Sequence, residues 1–452
     1  MQMDDTTRRL ARFVLDSDFE RLPPEAVHEC KRRLIDSAAC AAGAYPAPFC
    51  AGIRRFAGRY SGMPAARVWG SGAATSMEMA AFANGTMLRY LDYNDTYLGE
   101  SAGHPSDMIA ALVAVAEGHA ANGAALVAAI VAAYEIYCGL CDSVALAPRG
   151  LDQATCAAVG TAAGAGRLLG LDEEQLANAL SLALSANLSL YNVRCGVLSG
   201  WKGCAGPNGA RNGIFAALLA QDGVTGPTAV VEGKGGLFVV VQPFEWQAGA
   251  GRLPLITGTH LKFHPVCYHG QSAIDAALML RAAVPLQEIA EIQVATYEAA
   301  FRAMASDPQR WAPTTRETAD HSLPYTIAVA LQEGRLTSDA YADERLTDSA
   351  TKRLMDKTRV SSSEAMTRAF PARAQTRITI RTAGGAEHSH LQDYPKGHTE
   401  NPLSDAELEE KFVRLFSAWG DAARAQRTLE LLWSVDRLTD CVAVVNALCR
   451  EQ

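Results

Sequence analysis

The run "AALVAVAEGHAANGAALVAAIVAAYEIY", residues 110–137, constrains the fold most. Alanine has the best intrinsic helix propensity, and a small side chain lets neighbouring helices approach closely. A chain with this texture commits to close-packed helices, with Asn122-Gly123 dividing the run in two. At 452 residues, with 49% hydrophobic and 20% charged residues, there is enough material for two or three domains and a large core.

The helical period persists from the start to about residue 230. Pro23-Pro24-Glu25 predicts a helix start with proline in its first turn, leading into "AVHECKRRLIDSAACAAG". "SMEMAAFANGTMLRYLDY" predicts another helix, which ends in the polar loop "LDYNDTYLGESAGHPSD". Ser106 is expected to cap the next helix, with Asp107 at its N-terminus. "ATCAAVGTAAGAGRLLG", "DEEQLANALSLALSAN" and "RNGIFAALLAQDG" bring the count to roughly ten helices.

Near Gly258 the texture changes. "LPLITGTHLKFHPV" is extended, "GQSAIDAALMLRAAV" helical and "EIAEIQVATYE" a strand, while "LPYTIAVALQEG" is a helix stopping at Gly334. "QTRITIRT" and "EHSHLQDYP", joined through Gly384-Gly385, predict a hairpin. From 401 the chain is helical again, with Ser404 and Glu407 spaced as a capping box. The expected fold is mostly α: a large helical domain from both chain ends (1–257 and 401–452), with an inserted α+β domain at 258–400.

A net charge of -8 argues against a nucleic-acid or polybasic membrane partner, but permits a locally basic site. The most apolar segment, "AALVAAIVAAYEIYCGLC", carries Glu135 and reads as internal helix packing rather than a membrane span. The first residues are acidic and then amphipathic, unlike a signal peptide, so the cytoplasm is the expected compartment. The 11 scattered cysteines suit reduced thiols. Cys138 and Cys141 have redox spacing but no βαβ context, which favours two thiols on a helix face.

Four stretches hold the candidate chemistry. The polar loop offers Asp92, Asp95, Thr96, Glu100, His104 and Asp107, with His104 the natural proton shuttle. "GWKGCAGPNGARNG" places Lys202 ahead of a helix whose start, with Arg211, would suit an anion; it has no Walker pattern. "LKFHPVCYHGQSAID" gathers Lys262, His264, Cys267 and His269, at spacings that match no closed zinc site. "TRETADHSLPYTIAVAL" sets Tyr325 near a helix start, either as a proton donor or as a half-buried tyrosine bonded to a carbonyl.

Together "LDYNDTYLGESAGHPSD", "KGCAGPNGARNGIFAALLA", "GVTGP", "KFHPVCYHGQSAIDAAL", "TRETADHSLPYTIAVAL" and "YPKGHTENPLS" resemble the MmgE/PrpD family, in the family's order over nearly the whole chain. The resemblance implies a helical domain with an inserted α+β lid, a homodimer, no cofactor and no metal. It also implies an active site between the domains at Asp92, Thr96, His104, Lys202, His269 and Tyr325, with Lys262 added. The long spacing from Thr96 to His104 is similar to the dehydratase branch. Ala205 stands where many relatives carry a histidine.

The expected function is therefore a cofactor-free dehydratase for a small di- or tricarboxylate such as 2-methylcitrate. His104, His269, Tyr325, Asp92 and Lys202 would be catalytic, and Thr96, Lys262 and Arg211 would bind substrate. Lysines would hold the carboxylates, a histidine would take the α-proton, and His269 or Tyr325 would protonate the leaving hydroxyl. The same groups suit a decarboxylase or an epimerase. A dimer that only binds carboxylates, or a thiol redox protein, are rivals of another class.

Overall fold

The computed structural model describes residues 3–246 and 252–450. Helix α1 (Pro24–Ala44) begins with proline, whose missing N–H costs nothing at that position. Helix α2 (Met77–Tyr90) is capped by Ser76, which accepts from the Met79 amide. Helix α3 (Gly123–Ser143) is capped in the same way by Asn122. Helices α4 (Ala154–Leu168) and α5 (Ala205–Gln221) pack through small residues. At Gly213 an added Cβ would lie 2.5 Å from the Ala158 carbonyl, so this approach admits only glycine.

One core draws on residues from Met3 to Leu261 and again from Leu403 to Leu448. The returning helix, which bears the expected Ser404/Glu407 capping box, runs from Asp405 to Phe416. It locks onto α1 through an ion pair of 2.6 Å between Lys411 Nζ and Asp36 Oδ1, both buried. Helix α3 is long and apolar enough to cross a membrane, and 89% of its most apolar window is buried inside the protein. Its hydrophobicity is spent on neighbouring helices.

A second core lies between Val266 and Ile380. Strands β1 (Ile289–Thr296), β2 (Thr358–Ser362), β3 (Thr376–Thr382) and β4 (Glu387–Gln392) form a sheet in the order β2-β1-β3-β4. β1 and β2 are parallel, and the other two pairs are antiparallel. The β3–β4 hairpin turns at Gly385, whose φ of +86° suits glycine. His388 and His390 share one face of β4, opposite Ile380 and Ile378. The helices Gln271–Arg281 and Leu323–Glu333 pack in this core, the latter ending at Gly334 in the left-handed conformation.

Candidate active site

The polar loop after α2 is buried rather than solvated. Thr96 exchanges two backbone hydrogen bonds with His260, at 2.9 and 2.7 Å. Tyr97–Leu98 pairs with Ala102–Gly103, and the His104 amide donates to the Tyr137 hydroxyl at 2.8 Å. Asp95 accepts from the Ser106 amide at 3.0 Å and from the Tyr134 hydroxyl at 2.8 Å. These bonds pair most of the loop's buried polar groups, Asn94 Oδ1 being an exception without a partner.

Two expectations fail here. Ser106 caps no helix: it lies inside the 3₁₀ turn Pro105–Met108, and its hydroxyl accepts from Asn94 at 2.8 Å. Asp107 faces inward, 3.8 Å from Arg89 Nε, and burial raises its carboxyl to about 7 against the opposing charge of Arg89. The start of α5 is not an open anion site either. A Cβ on Gly206 would lie 1.8 Å from Asp107 Oδ2, so the protein's own carboxylate occupies the place expected for a substrate's. Arg211, farther along α5, binds Asn212 Oδ1 at 2.7 Å beside Tyr60 and Phe215, in a separate depression.

A buried ion network holds the loop to the rest of the chain. Asp92, in the left-handed region at φ +49°, pairs with Arg89, with Lys202 at 3.3 Å and with Lys262 at 2.7 Å. Lys202 also meets Asp320 Oδ1 at 2.7 Å and His321 Nδ1 at 3.2 Å. Burial pushes the Asp92 carboxyl up, yet Arg89, Lys202 and Lys262 outweigh it and hold the group well below the usual carboxylate range. Asp92, Asp320 and His321 have the spacing of metal ligands. The Lys202 ammonium stands among all three, with Lys262 and Arg89 beside it, so this donor set is already neutralised and does not fit a metal ion.

Above the network lies a cavity of about 190 Å³. That is below the roughly 300–1,000 Å³ of drug-sized pockets, so its occupant is small. Both cores contribute to its wall: Thr96, His104 and Arg194 from one side, Cys267, His269 and His321 from the other.

The three imidazoles are not shifted alike. His104 Nδ1 lies 2.7 Å from the Asp95 carbonyl and 3.1 Å from Thr96 Oγ1. A carbonyl only accepts, so Nδ1 carries the hydrogen and Nε2 keeps its lone pair. Burial, then Arg89 and Lys262, hold the His104 pKa well below the usual histidine range. His269 Nδ1 meets the Tyr297 hydroxyl at 2.8 Å, and burial, His321 and Lys262 lower it to about 4. His321 moves the other way. Burial and Lys202 act to lower it, but Cys267 and Asp320, the latter 2.5 Å from Nδ1, raise it above the usual value.

Arg194 is aimed by a two-point pair with Asp152, at 2.8 and 3.1 Å, and lines the cavity together with Arg89.

Of the residues expected at the site, His104, His269 and Thr96 line the cavity together, and Asp92, Lys202 and Lys262 form the network behind it. Asp92 approaches His321, at 3.7 Å, rather than serving as a hydrogen-bond partner of His104 or His269. Tyr325 lies in the second core, where its hydroxyl donates to the Ala340 carbonyl at 2.5 Å. Ser322 caps its helix, so the tyrosine's amide is satisfied and its ring packs inward. Cys138 and Cys141 are buried and unbridged. Sequence reasoning did not single out His321, Arg194 and Arg89. The Asp320-His321 adjacency was a usable signal for the first, while "YNVRCG" offers none for Arg194.

A mostly helical chain whose two cores meet at a small cavity lined by arginines and three imidazoles has the parts of an enzyme that moves protons on an anionic substrate. The chain belongs to the MmgE/PrpD family: the N-terminal domain of that family matches residues 8–247 and the C-terminal domain residues 264–437. It is 31% identical over 359 residues to a 2-methylcitrate dehydratase of Cupriavidus necator, covering 74% of this chain and 73% of the relative. It is 28% identical to proteins of the same name from Salmonella typhimurium and Escherichia coli. Those two alignments cover 82% and 79% of this chain, and 81% and 78% of the respective relatives.

Proposed function

We propose that the protein is a cofactor-independent hydro-lyase that dehydrates a small di- or tricarboxylate of the 2-methylcitrate type. The observation that carries this reading is one cavity holding a neutral imidazole at His104 and a more basic one at His321. Two groups whose pKa values are pushed apart supply an acid and a base in one site. The names of the relatives support dehydration.

His104 Nε2 takes the proton α to a carboxylate, with Thr96 beside its ring. Arg194 and Arg89 bind the substrate carboxylates and, with Lys262 behind them, offset the negative charge that develops. Lys202 and Lys262 are absent from the cavity lining, so they supply field rather than direct grip. His321 protonates the leaving hydroxyl, and His269 contacts the substrate from the same wall. On this reading residues 258–400 act as the inserted unit that closes the cavity.

Incubation with 2-methylcitrate, citrate and cis-aconitate tests the reaction. Ultraviolet absorbance of a conjugated enoate formed from a hydroxy acid is the expected result. Carbon dioxide release from cis-aconitate would replace dehydration by decarboxylation. Thermal stabilisation by these acids without turnover would reduce the protein to a binder.

We also propose that the chain works as a homodimer. Tyr60 and Phe215 stand exposed around one depression, and large apolar side chains grouped on a surface suit cover by a second copy. Light scattering is expected to give twice the chain mass; a monomer at micromolar concentration would remove this part of the proposal.

A further inference from the structure

Cys267 lines the same cavity and takes no part in the proton transfers above. Its amide donates to the Asp320 carbonyl at 3.1 Å, and the thiol shares the cavity wall with His321, whose Nδ1 is held by the Asp320 carboxylate at 2.5 Å. With Nδ1 occupied, Nε2 serves the sulfur in the unliganded protein and the leaving hydroxyl when substrate is bound. A thiol next to an imidazole that a carboxylate orients is the arrangement that activates cysteine nucleophiles.

The surrounding charges agree. Burial opposes the thiolate and so does Asp92, but His321 and Lys262 favour it, and the balance lowers the thiol below its ordinary value. Cys138 and Cys141, buried without such a partner, shift the opposite way.

We propose that Cys267 is a covalent modification site for small electrophiles that carry a carboxylate, which Arg89 and Arg194 draw into the cavity. The charge preference rests on the proposed carboxylate-binding role of the site; the reactivity of the sulfur does not. With iodoacetate as probe, the sulfur of the thiolate attacks the carbon that bears iodine. The S–C bond forms, the C–I bond breaks, and iodide leaves with the electron pair. The imidazolium proton stays on His321. The carboxymethyl group then fills much of a cavity of about 190 Å³, so turnover stops with modification.

The test treats the whole chain with iodoacetate or iodoacetamide at pH 6.5 and maps the labelled peptides by mass spectrometry. The exposed Cys195 serves as comparator within the same molecule. An unassisted thiol, with a pKa of about 8.5, is only ~1% thiolate at that pH. Cys267 is therefore expected to react ahead of Cys195 despite its burial. It should favour iodoacetate over iodoacetamide relative to Cys195, and its rate should rise less steeply than that of Cys195 between pH 6 and 8.

His321→Asn should slow the Cys267 reaction at pH 6.5 about tenfold or more. Cys267→Ser should abolish the label, and the turnover that this variant retains should resist the reagent. The shallower pH profile of Cys267 relative to Cys195 in the unaltered protein decides the matter if His321→Asn fails to fold. Cys267 still unlabelled when Cys195 is fully modified overturns the proposal, and equal reagent preference at the two sites overturns its carboxylate selectivity. Rapid labelling of Cys267 without turnover of any tested acid would uphold the modification site and defeat the hydro-lyase reading instead.

Discussion

His104→Asn is expected to lower turnover by ~10²–10⁴-fold, the usual contribution of a positioned general base. The substitution keeps a polar side chain beside Asp95 and Thr96, so the fold should survive and the loss should fall on kcat. The pH profile supplies a second readout. A base works unprotonated, and burial with Arg89 and Lys262 holds the His104 pKa well below the usual histidine value. Activity should therefore persist below pH 6.5 and fall only as pH drops through that depressed value. The acid works protonated, so the alkaline limb should follow His321, whose pKa lies above the ordinary value. His104→Asn should erase the acidic limb of the residual activity and leave the alkaline one. Turnover within a fewfold of the unaltered enzyme would remove His104 from the mechanism.

Asp92→Asn should have the largest effect on stability. One carboxylate neutralises Arg89, Lys202 and Lys262, all buried. Lys202 retains Asp320, at 2.7 Å, but among the described residues Lys262 has no second carboxylate within ion-pair distance. Breaking a buried pair from one side costs about 3–5 kcal/mol, because the remaining charge stays desolvated. Burial already lowers the Lys262 pKa, and without Asp92 it should fall further. A lysine whose folded pKa lies below its unfolded value makes stability rise with pH between the two. The deficit should therefore shrink as pH rises toward the unfolded lysine value of about 10.4. Denaturant midpoints measured across that range check both statements. An unchanged midpoint near neutrality would show that the network contributes nothing.

Legibility in the sequence followed the range of each interaction. The helix starts at Pro24 and Asn122, the stop at Gly334 and the capping box at Ser404 all depend on residues within a turn of one another. The β3–β4 hairpin depends on its alternation and on Gly385. Ser106 misled because a favourable cap residue is also a good hydrogen-bond partner for a buried loop, and Asn94 and Asp95 claimed it. Arg211 misled because nearness along a helix does not place a side chain in the same cavity. His321 stood beside residues already under consideration, yet only packing shows that it faces Cys267 and Lys202.

The sequence by itself determined a helical architecture with an α+β stretch, and it marked the polar loop and the histidines His104 and His269. Propensity, capping and periodicity act over a few neighbouring residues and can be read in order. The tertiary structure alone decided which imidazole is neutral and which is more basic, which cations line the cavity, and which carboxylate fills the start of α5. Protonation follows the summed field of charges in a low-dielectric interior, and those charges come from segments more than a hundred residues apart.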